Sequence, residues 1–253
     1  MAKEIKIIFV SLLHIITFML AGNNKALAQD DFIVEWTFPS STSSVRFNAL
    51  TVGAVNYTWT AMPSGNSGSG SFTRSSVGQV TLSGLNVPAG NKLTVSFAPA
   101  NLRRFLFSQG GDHNRLTDVK QWGAVPWSSM QQAFRVCSNL TGFSATDTPD
   151  LSAVTDMRSM FEGAASFNGD LSTWDVANVT TMSSMFAYAT SFNGDLSAWD
   201  VANVTTMSSM FYNATSFNQN LGNWHFNPQV NLSHMLSFSG MDCDHDSGMG
   251  NIW

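Results

Sequence analysis

Val154–Asn178 reads VTDMRSMFEGAASFNGDLSTWDVAN, and Val179–Asn203 reads VTTMSSMFAYATSFNGDLSAWDVAN. The two segments differ at 6 of their 25 positions. A third copy opens at Val204 and keeps Met207, Met210, Phe211, Phe217 and Trp224 in register. A fixed period of this length marks stacked units that share one continuous core, because no single unit can bury its apolar face alone. Val179, Met182, Met185, Phe186 and Ala189 fall at i, i+3, i+6, i+7 and i+10, which predicts a short helix with one apolar stripe. Leu196-Ser197-Ala198-Trp199-Asp200-Val201 then predicts a short strand. Alternation along it turns Trp199 and Val201 inward, and Ala198, Asp200 and Ala202 outward. The copies differ at positions 156, 158, 162, 163, 165 and 173, and the first five lie off the stripe. Variation therefore sits on the outside of the predicted helix. Two turns of Ser- and Thr-rich helix are marginal alone in water, so stacking must hold them.

Working outward, Trp127, Met130, Phe134, Cys137 and Leu140 occupy the same register in a first copy of 27 residues, with its extra length near Asp147–Asp150. Leu232, Met235 and Leu236 mark a degenerate last copy. Residues 31–108 carry short alternating runs instead, such as Phe32–Trp36, Val55–Trp59 and Leu93–Phe97. Turn signals such as Pro63-Ser64-Gly65 and Pro88-Ala89-Gly90 separate them, which predicts a small antiparallel sheet or sandwich. The expected fold is an α/β solenoid of leucine-rich-repeat type, with a short helix and a short parallel strand per repeat, behind a small β-rich, sandwich-like domain. The expected divisions are a leader over 1–28, the β-rich domain over 29–110, the solenoid over 111–236 and a tail, truncated or uncapped, over 237–253.

The leader is read from Lys3 and Lys6, the apolar run Ile7–Ala21 and the A-x-A site Ala26-Leu27-Ala28. The run is shorter than the roughly 20 residues that span a bilayer, so export with cleavage near Ala28 is expected, and no membrane span in the mature chain. The leader takes three Lys and one Glu with it, which moves the net charge from −5 to −7. Only 11% of residues are charged, and nothing is basic enough to attract nucleic acid or an anionic membrane. Cys137 and Cys243 lie four copies apart, on the order of 20 Å at about 4.8 Å per stacked strand. A disulfide needs Cα atoms within about 7 Å, so the two are expected unpaired.

The recurring residues have bland and functional explanations. Met157/Met160, Met182/Met185 and Met207/Met210 could offer thioether pairs to Cu(I). Each pair is followed by Phe on the only apolar stripe, which reads as core packing. The columns Phe161/Phe186/Phe211, Phe167/Phe192/Phe217 and Trp174/Trp199/Trp224 read as core ladders rather than a sugar platform. Asn168/Asn193/Asn218 and Asn178/Asn203 read as amides that satisfy turn backbone. Asp175/Asp200 and Asp170/Asp195 stack like charges, which is unfavourable. The third copy substitutes His225 and Asn220, so these columns read as solvated turns, with a ligand or Ca²⁺ site as the alternative. Asp242-Cys243-Asp244-His245-Asp246 reads as an acidic tail before a metal site. There is no G-x-S-x-G, no H-E-x-x-H and no Gly-rich phosphate loop. No catalytic residue, metal or cofactor is expected.

The string Met-x-x-Met-Phe…Ser-Phe-Asn-Gly-Asp-Leu-Ser-x-Trp-Asp-Val-x-Asn-Val-Thr resembles the BspA-type leucine-rich-repeat surface proteins of bacteria. So do the entry segments Gln121-Trp122-Gly123, Trp127-Ser128-Ser129-Met130 and Cys137-Ser138-Asn139-Leu140. The resemblance covers about residues 121–236 and implies an exported or cell-surface protein that binds other proteins or host and matrix surfaces. The expected function is non-enzymatic recognition or adhesion, with a protein or a cell-surface or matrix macromolecule as partner. The outward residues of the expected strand face are the candidate binding set: Thr173, Asp175, Ala198, Asp200, Asn223 and His225. Two alternatives stand beside it, a structural spacer or fragment without its own ligand, and a glycan-active enzyme with its site in the β-rich domain.

Overall fold

The structure, a computed structural model of the chain, describes residues 30–108 and 110–241. The expected leader, Cys243 and the acidic cluster at 242–246 lie outside the described residues. The β-rich expectation for the first part holds in outline. The strands are β1 (Phe32–Thr37), β2 (Thr42–Thr51), β3 (Val55–Met62), β4 (Asn66–Phe72), β5 (Gly78–Val87), β6 (Lys92–Phe97), β7 (Leu102–Leu106) and β8 (Leu116–Gln121). They form a five-stranded sheet in the order β4-β3-β6-β1-β8 and a three-stranded sheet in the order β5-β2-β7. Every strand pairing is antiparallel.

Alternation decides which side chains enter the core. Val55, Trp59 and Ala61 of β3 are buried, as are Val45, Phe47 and Ala49 of β2. Phe32, Trp36, Phe47, Phe97 and Phe105 meet between the sheets with ring centroids 5.0–6.3 Å apart. Strand β4 can lie beside Tyr57 and Trp59 only because it carries glycine there. A Cβ on Gly68 would fall 2.7 Å from Trp59 Nε1, and one on Gly70 would fall 2.5 Å from the Tyr57 hydroxyl. The boundary expected at 110 moves outward, since β8 pairs with β1 and carries the sheet to Gln121.

The leucine-rich-repeat solenoid is not what forms. Among the described residues there is no α-helix, and the one helical piece is a 3-10 turn at His113–Arg115. Among the described residues no repeat contributes a strand, and the parallel pairing is limited to the single bridges Asp156–Thr181, Thr181–Thr206 and Thr206–Asn231. The units are built of turns. Two residues four apart in each unit lie in the left-handed region: Gln132 and Val136, Ser159 and Gly163, Ser184 and Tyr188, Ser209 and Asn213, His234 and Phe238, all with φ between 55° and 71°. Such residues interrupt a right-handed helix. The N–H groups then divide. Those of Met160, Glu162 and Ala164 turn back three residues to the carbonyls of Met157, Ser159 and Phe161. Those of Met157, Ser159, Phe161 and Gly163 leave the unit and donate to Thr181, Ser183, Met185 and Ala187 of the next. Four such bonds of 2.7–3.0 Å recur at each of the four junctions from Met130–Val136 to Met207–Asn213. Successive three- and four-residue turns give the same apolar spacing as a helix, which is why the stripe misled.

The inward residues are nonetheless those of the repeat pattern. Met157, Met160, Phe161, Met182, Met185, Phe186, Met207, Met210 and Phe211 are fully buried. Each such side chain contributes about 1.5–3 kcal/mol by leaving water. Phe134, Phe161, Phe186 and Phe211 form a column with centroids 5.4–5.5 Å apart and planes within 19°. The indole N–H of Trp199 donates to the Leu171 carbonyl at 3.0 Å, and that of Trp224 to the Leu196 carbonyl at 2.8 Å, the same contact one unit on. Cys137 is a free thiol, and its burial pushes its pKa well above the ordinary value.

The β-domain closes the first end of this stack. β7 and β8 are edge strands of the two sheets, and an edge presents unpaired backbone groups that need cover. Phe107 N–H donates to Gln132, and Ser128 N–H to Arg103, at 3.0 and 3.1 Å beside β7. Ala145 N–H donates to Val119 of β8 at 3.0 Å. Trp122 fills the joint, with its ring 5.1–6.3 Å from those of Trp127, Phe134, Phe143 and Trp174. One hydrophobic core runs from Phe32 to Met241 without a break.

Candidate recognition surfaces

Thr173, Asp175, Ala198, Asp200, Asn223 and His225 are all exposed. The structure places them on turns rather than on a strand face. Trp174, Trp199 and Trp224 each donate their N–H to the leucine three residues back, at 3.0–3.1 Å, so residues 173, 198 and 223 project from the closed loops between. Because the copies are stacked, the six residues follow one another down the array in two columns.

The aspartates have a backbone task. Asp175 Oδ1 accepts the N–H of Ala177 at 3.1 Å, and Asp200 Oδ1 that of Ala202 at 3.0 Å. Asp170 and Asp195 do the same for Ser172 and Ser197 at 2.9 Å. An Asx side chain that bonds two residues onward holds a turn closed. The backbone N–H of Ser172, with its hydroxyl, keeps the Asp170 carboxyl below the ordinary range. The same groups of Ser197 do so for Asp195, against a smaller opposing push from the Asp170 charge. Turn N–H groups therefore offset the like-charge stacking. Asn220 bonds Gly222 in the same way at 2.8 Å, which explains how the third copy dispenses with charge. Among the described residues no three His, Cys, Asp or Glu side chains come together as a metal site. The asparagine columns are structural as well, with Asn168 Oδ1 accepting Asn193 N–H at 2.8 Å and Asn193 Oδ1 accepting Asn218 N–H at 2.9 Å.

A second surface escaped the sequence reading. Tyr188, Tyr212 and Phe238 form an exposed ridge, with ring centroids 5.5 and 5.4 Å apart and edge-to-face planes. Tyr188 is 49% exposed and Phe238 is 71% exposed. Both sit at φ 60°, where a bulky side chain is disfavoured. The equivalent positions in the copies on either side of Tyr188 hold Gly163 and Asn213, the residue types that tolerate this conformation, while the first copy holds the β-branched Val136 there. The ridge thus spends stability without gaining burial, and such strain tends to collect at functional sites. The available signal was the set of positions that vary between copies, since 162 and 163 are two of them and hold Ala187 and Tyr188 in the next.

A third feature lies on the outer face of the five-stranded sheet. Asn56 and Thr58, Ser69 and Ser71, Ser96 and Asp31 line an open hollow of about 400 Å³ beside Tyr57. The Ser96 hydroxyl donates to the Asp31 carboxylate at 2.5 Å.

No helix among the described residues is long and apolar enough to cross a membrane. Neither the curated proteins nor the solved structures include one that this chain matches. Residues 128–244, which begin one residue after Trp127 and take in nearly all of the turn-built array, are similar to the family DUF285, described as Mycoplasma protein of unknown function.

Proposed function

We propose that this chain is an exported, non-enzymatic recognition protein that holds a protein or a cell-surface or matrix macromolecule along the side of its repeat array. The observation that carries this reading is the pair of exposed columns, Thr173/Ala198/Asn223 and Asp175/Asp200/His225, fixed to a rigid core at one-unit intervals. The buried Trp174, Trp199 and Trp224 between them hold the loops in place, so a partner meets a surface that is already ordered. Pre-ordering lowers the entropy lost on binding. The resemblance of the repeat string to bacterial surface proteins, and the leader read from the first 28 residues, support export. Affinity would come from many modest contacts centred on a few anchors.

The aspartates are poor first targets because they close turns. Replacing Thr173, Ala198 and Asn223 together by Arg leaves every Asx bond in place and changes only the exposed column. Binding of the immobilised chain to a panel of purified matrix proteins and cell-surface fractions is expected to be saturable and to fall by about tenfold or more in the triple variant, with an unchanged circular dichroism spectrum. Undiminished binding by the triple variant would move the site off this face.

A further inference from the structure

We infer that the hollow on the outer face of the five-stranded sheet binds a sugar unit of a neutral glycan, at a site separate from the side face of the array. Strands β4, β3, β6 and β1 lie side by side there. Asn56 and Thr58 of β3 pair with Ser71 and Ser69 of β4, and Thr58 pairs with Ser96 of β6. Cross-strand partners share a face, so these side chains stand together on the outside of the sheet. Ala98 donates its N–H to the Asn56 carbonyl at 2.9 Å. Phe32 pairs with Phe97, which brings Asp31 to the far side of Ala98. Asn56 and Asp31 thus flank a small side chain from strands about 10 Å apart. The hollow they border holds about 400 Å³, within the range of small-ligand clefts, roughly 300–1,000 Å³.

Asp31 is held in place before any ligand arrives. The hydroxyl of Ser96, a residue only 2% exposed, donates to Asp31 Oδ2 at 2.5 Å. The Asp31 carbonyl accepts Gln121 Nε2 at 2.7 Å, and the Asp30 carbonyl accepts the Ala124 N–H at 2.8 Å. Gly123 runs so close to both carbonyls that a Cβ there would overlap them. Side chain and backbone are therefore both clamped, while Asp31 Oδ1 carries no hydrogen bond among the described residues. The side chains of Asn56, Thr58, Ser69 and Ser71 carry none either. Fixed polar groups lower the entropy lost when a ligand binds.

The lining selects the ligand class. It has one carboxylate and no basic side chain, so an anion is repelled. An apolar ligand would strand the hydroxyls and the amide without partners. An ammonium group would use the carboxylate and leave the Asn56 amide donors unmatched. Sugar hydroxyls both donate and accept, so neighbouring ones can donate to Asp31 Oδ1 and accept from Asn56, Thr58 and Ser69. The hollow is open, which suits one unit of a longer chain entering from the side. Asp31 carries the only carboxyl group of the lining. Glycoside hydrolysis uses a pair, so the site binds without cleaving.

The test is an NMR titration of the mature chain, in EDTA, with neutral oligosaccharides built from glucose, mannose, galactose or N-acetylglucosamine, and with polygalacturonate as the anionic control. At least one neutral series is expected to give saturable shifts at the amides of Asp31, Asn56, Thr58, Ser69, Ser71 and Ser96, and the control none. Asp31→Asn keeps an acceptor for Ser96 and removes the charge, and Asn56→Ala changes an exposed residue. Each is expected to weaken binding by about tenfold with the rest of the spectrum unchanged. The Arg triple variant on the side face is expected to bind the sugar as before, so the two proposals fail separately. Absence of saturable shifts with every neutral series overturns the inference. So do shifts confined to the array, undiminished binding by either variant, or a control bound as tightly as the neutral probes.

Discussion

Tyr188 shows at the scale of one residue how the array trades stability against surface. Its backbone lies at φ 60° and its ring is half exposed. The left-handed conformation costs a non-glycine residue roughly 1–2 kcal/mol, and Asn less because its short side chain bonds locally. Tyr188→Asn is therefore expected to raise the unfolding free energy by about 0.5–1 kcal/mol, measured as the urea midpoint at constant m. A drop in the midpoint would show that the ring's contact with Tyr212 outweighs the backbone strain. Ser159, Ser184 and Ser209 sit in the same conformation without forming such a ridge. They illustrate why the helix reading failed, since the pattern of apolar residues is blind to the sign of φ. Glu162 is better served. Burial raises its pKa, but the hydrogen bonds from Arg135 and Ser159 and the Arg135 charge outweigh it, and the net shift is downward.

At the scale of the element, the unit is defined by its junctions rather than by any internal helix or strand. Each of the three inner units, opening at Val154, Val179 and Val204, donates four N–H groups forward and accepts four from behind. Any unit can therefore follow any other. In-frame deletion of Val179–Asn203 joins Asn178 to Val204, as Asn203 is joined now, and brings Met157 opposite Thr206. The shortened chain is expected to fold, with a lower m-value and with the amides of Met157, Ser159, Phe161 and Gly163 still protected from exchange. Deletion of Val179–Thr190 alone, about half a unit, is expected to abolish that protection, because the apolar columns then fall out of register. Equal behaviour of the two deletions would mean that the junction bonds do not set the period. The recurrence, the copy boundaries and the inward residues could all be read from the chain, because repetition exposes them without any structural assumption. The conformation inside the unit could not, because helix and turn share a spacing near 3.5 residues.

On the scale of the whole molecule, the β-domain serves as the closed end of the array, with both sheets lending an edge strand to it. The acid response belongs to this scale as well. Asp150, Asp170 and Asp195 have lowered pKa values: hydrogen bonds from the Ser152 hydroxyl and N–H act on Asp150, and the N–H and hydroxyl of Ser172 and Ser197 on the other two. The folded chain thus binds these protons less readily than the unfolded chain does. Their stabilisation is complete above the unfolded aspartate pKa of about 3.9 and is lost as pH falls through the lower folded values. The melting temperature is expected to hold between about pH 7 and 5 and to fall below about pH 4. In the Asp170→Asn/Asp195→Asn variant the fall should be shallower, because Asn keeps the turn bond and does not titrate. An identical acid profile would place the sensitive carboxylates elsewhere.

By itself the sequence determined the 25-residue period, the columns of Met, Phe and Trp that enter the core, the exposed residues of the side face and the strand-rich character of the first part. These follow from the spacing of apolar and polar residues, which burial reads directly. Tertiary structure alone decided that the unit is turns, that β8 reaches past the expected boundary, and that the aspartates serve backbone N–H groups. Those outcomes depend on where backbone groups find partners, and the partners lie a full unit or a whole sheet away along the chain.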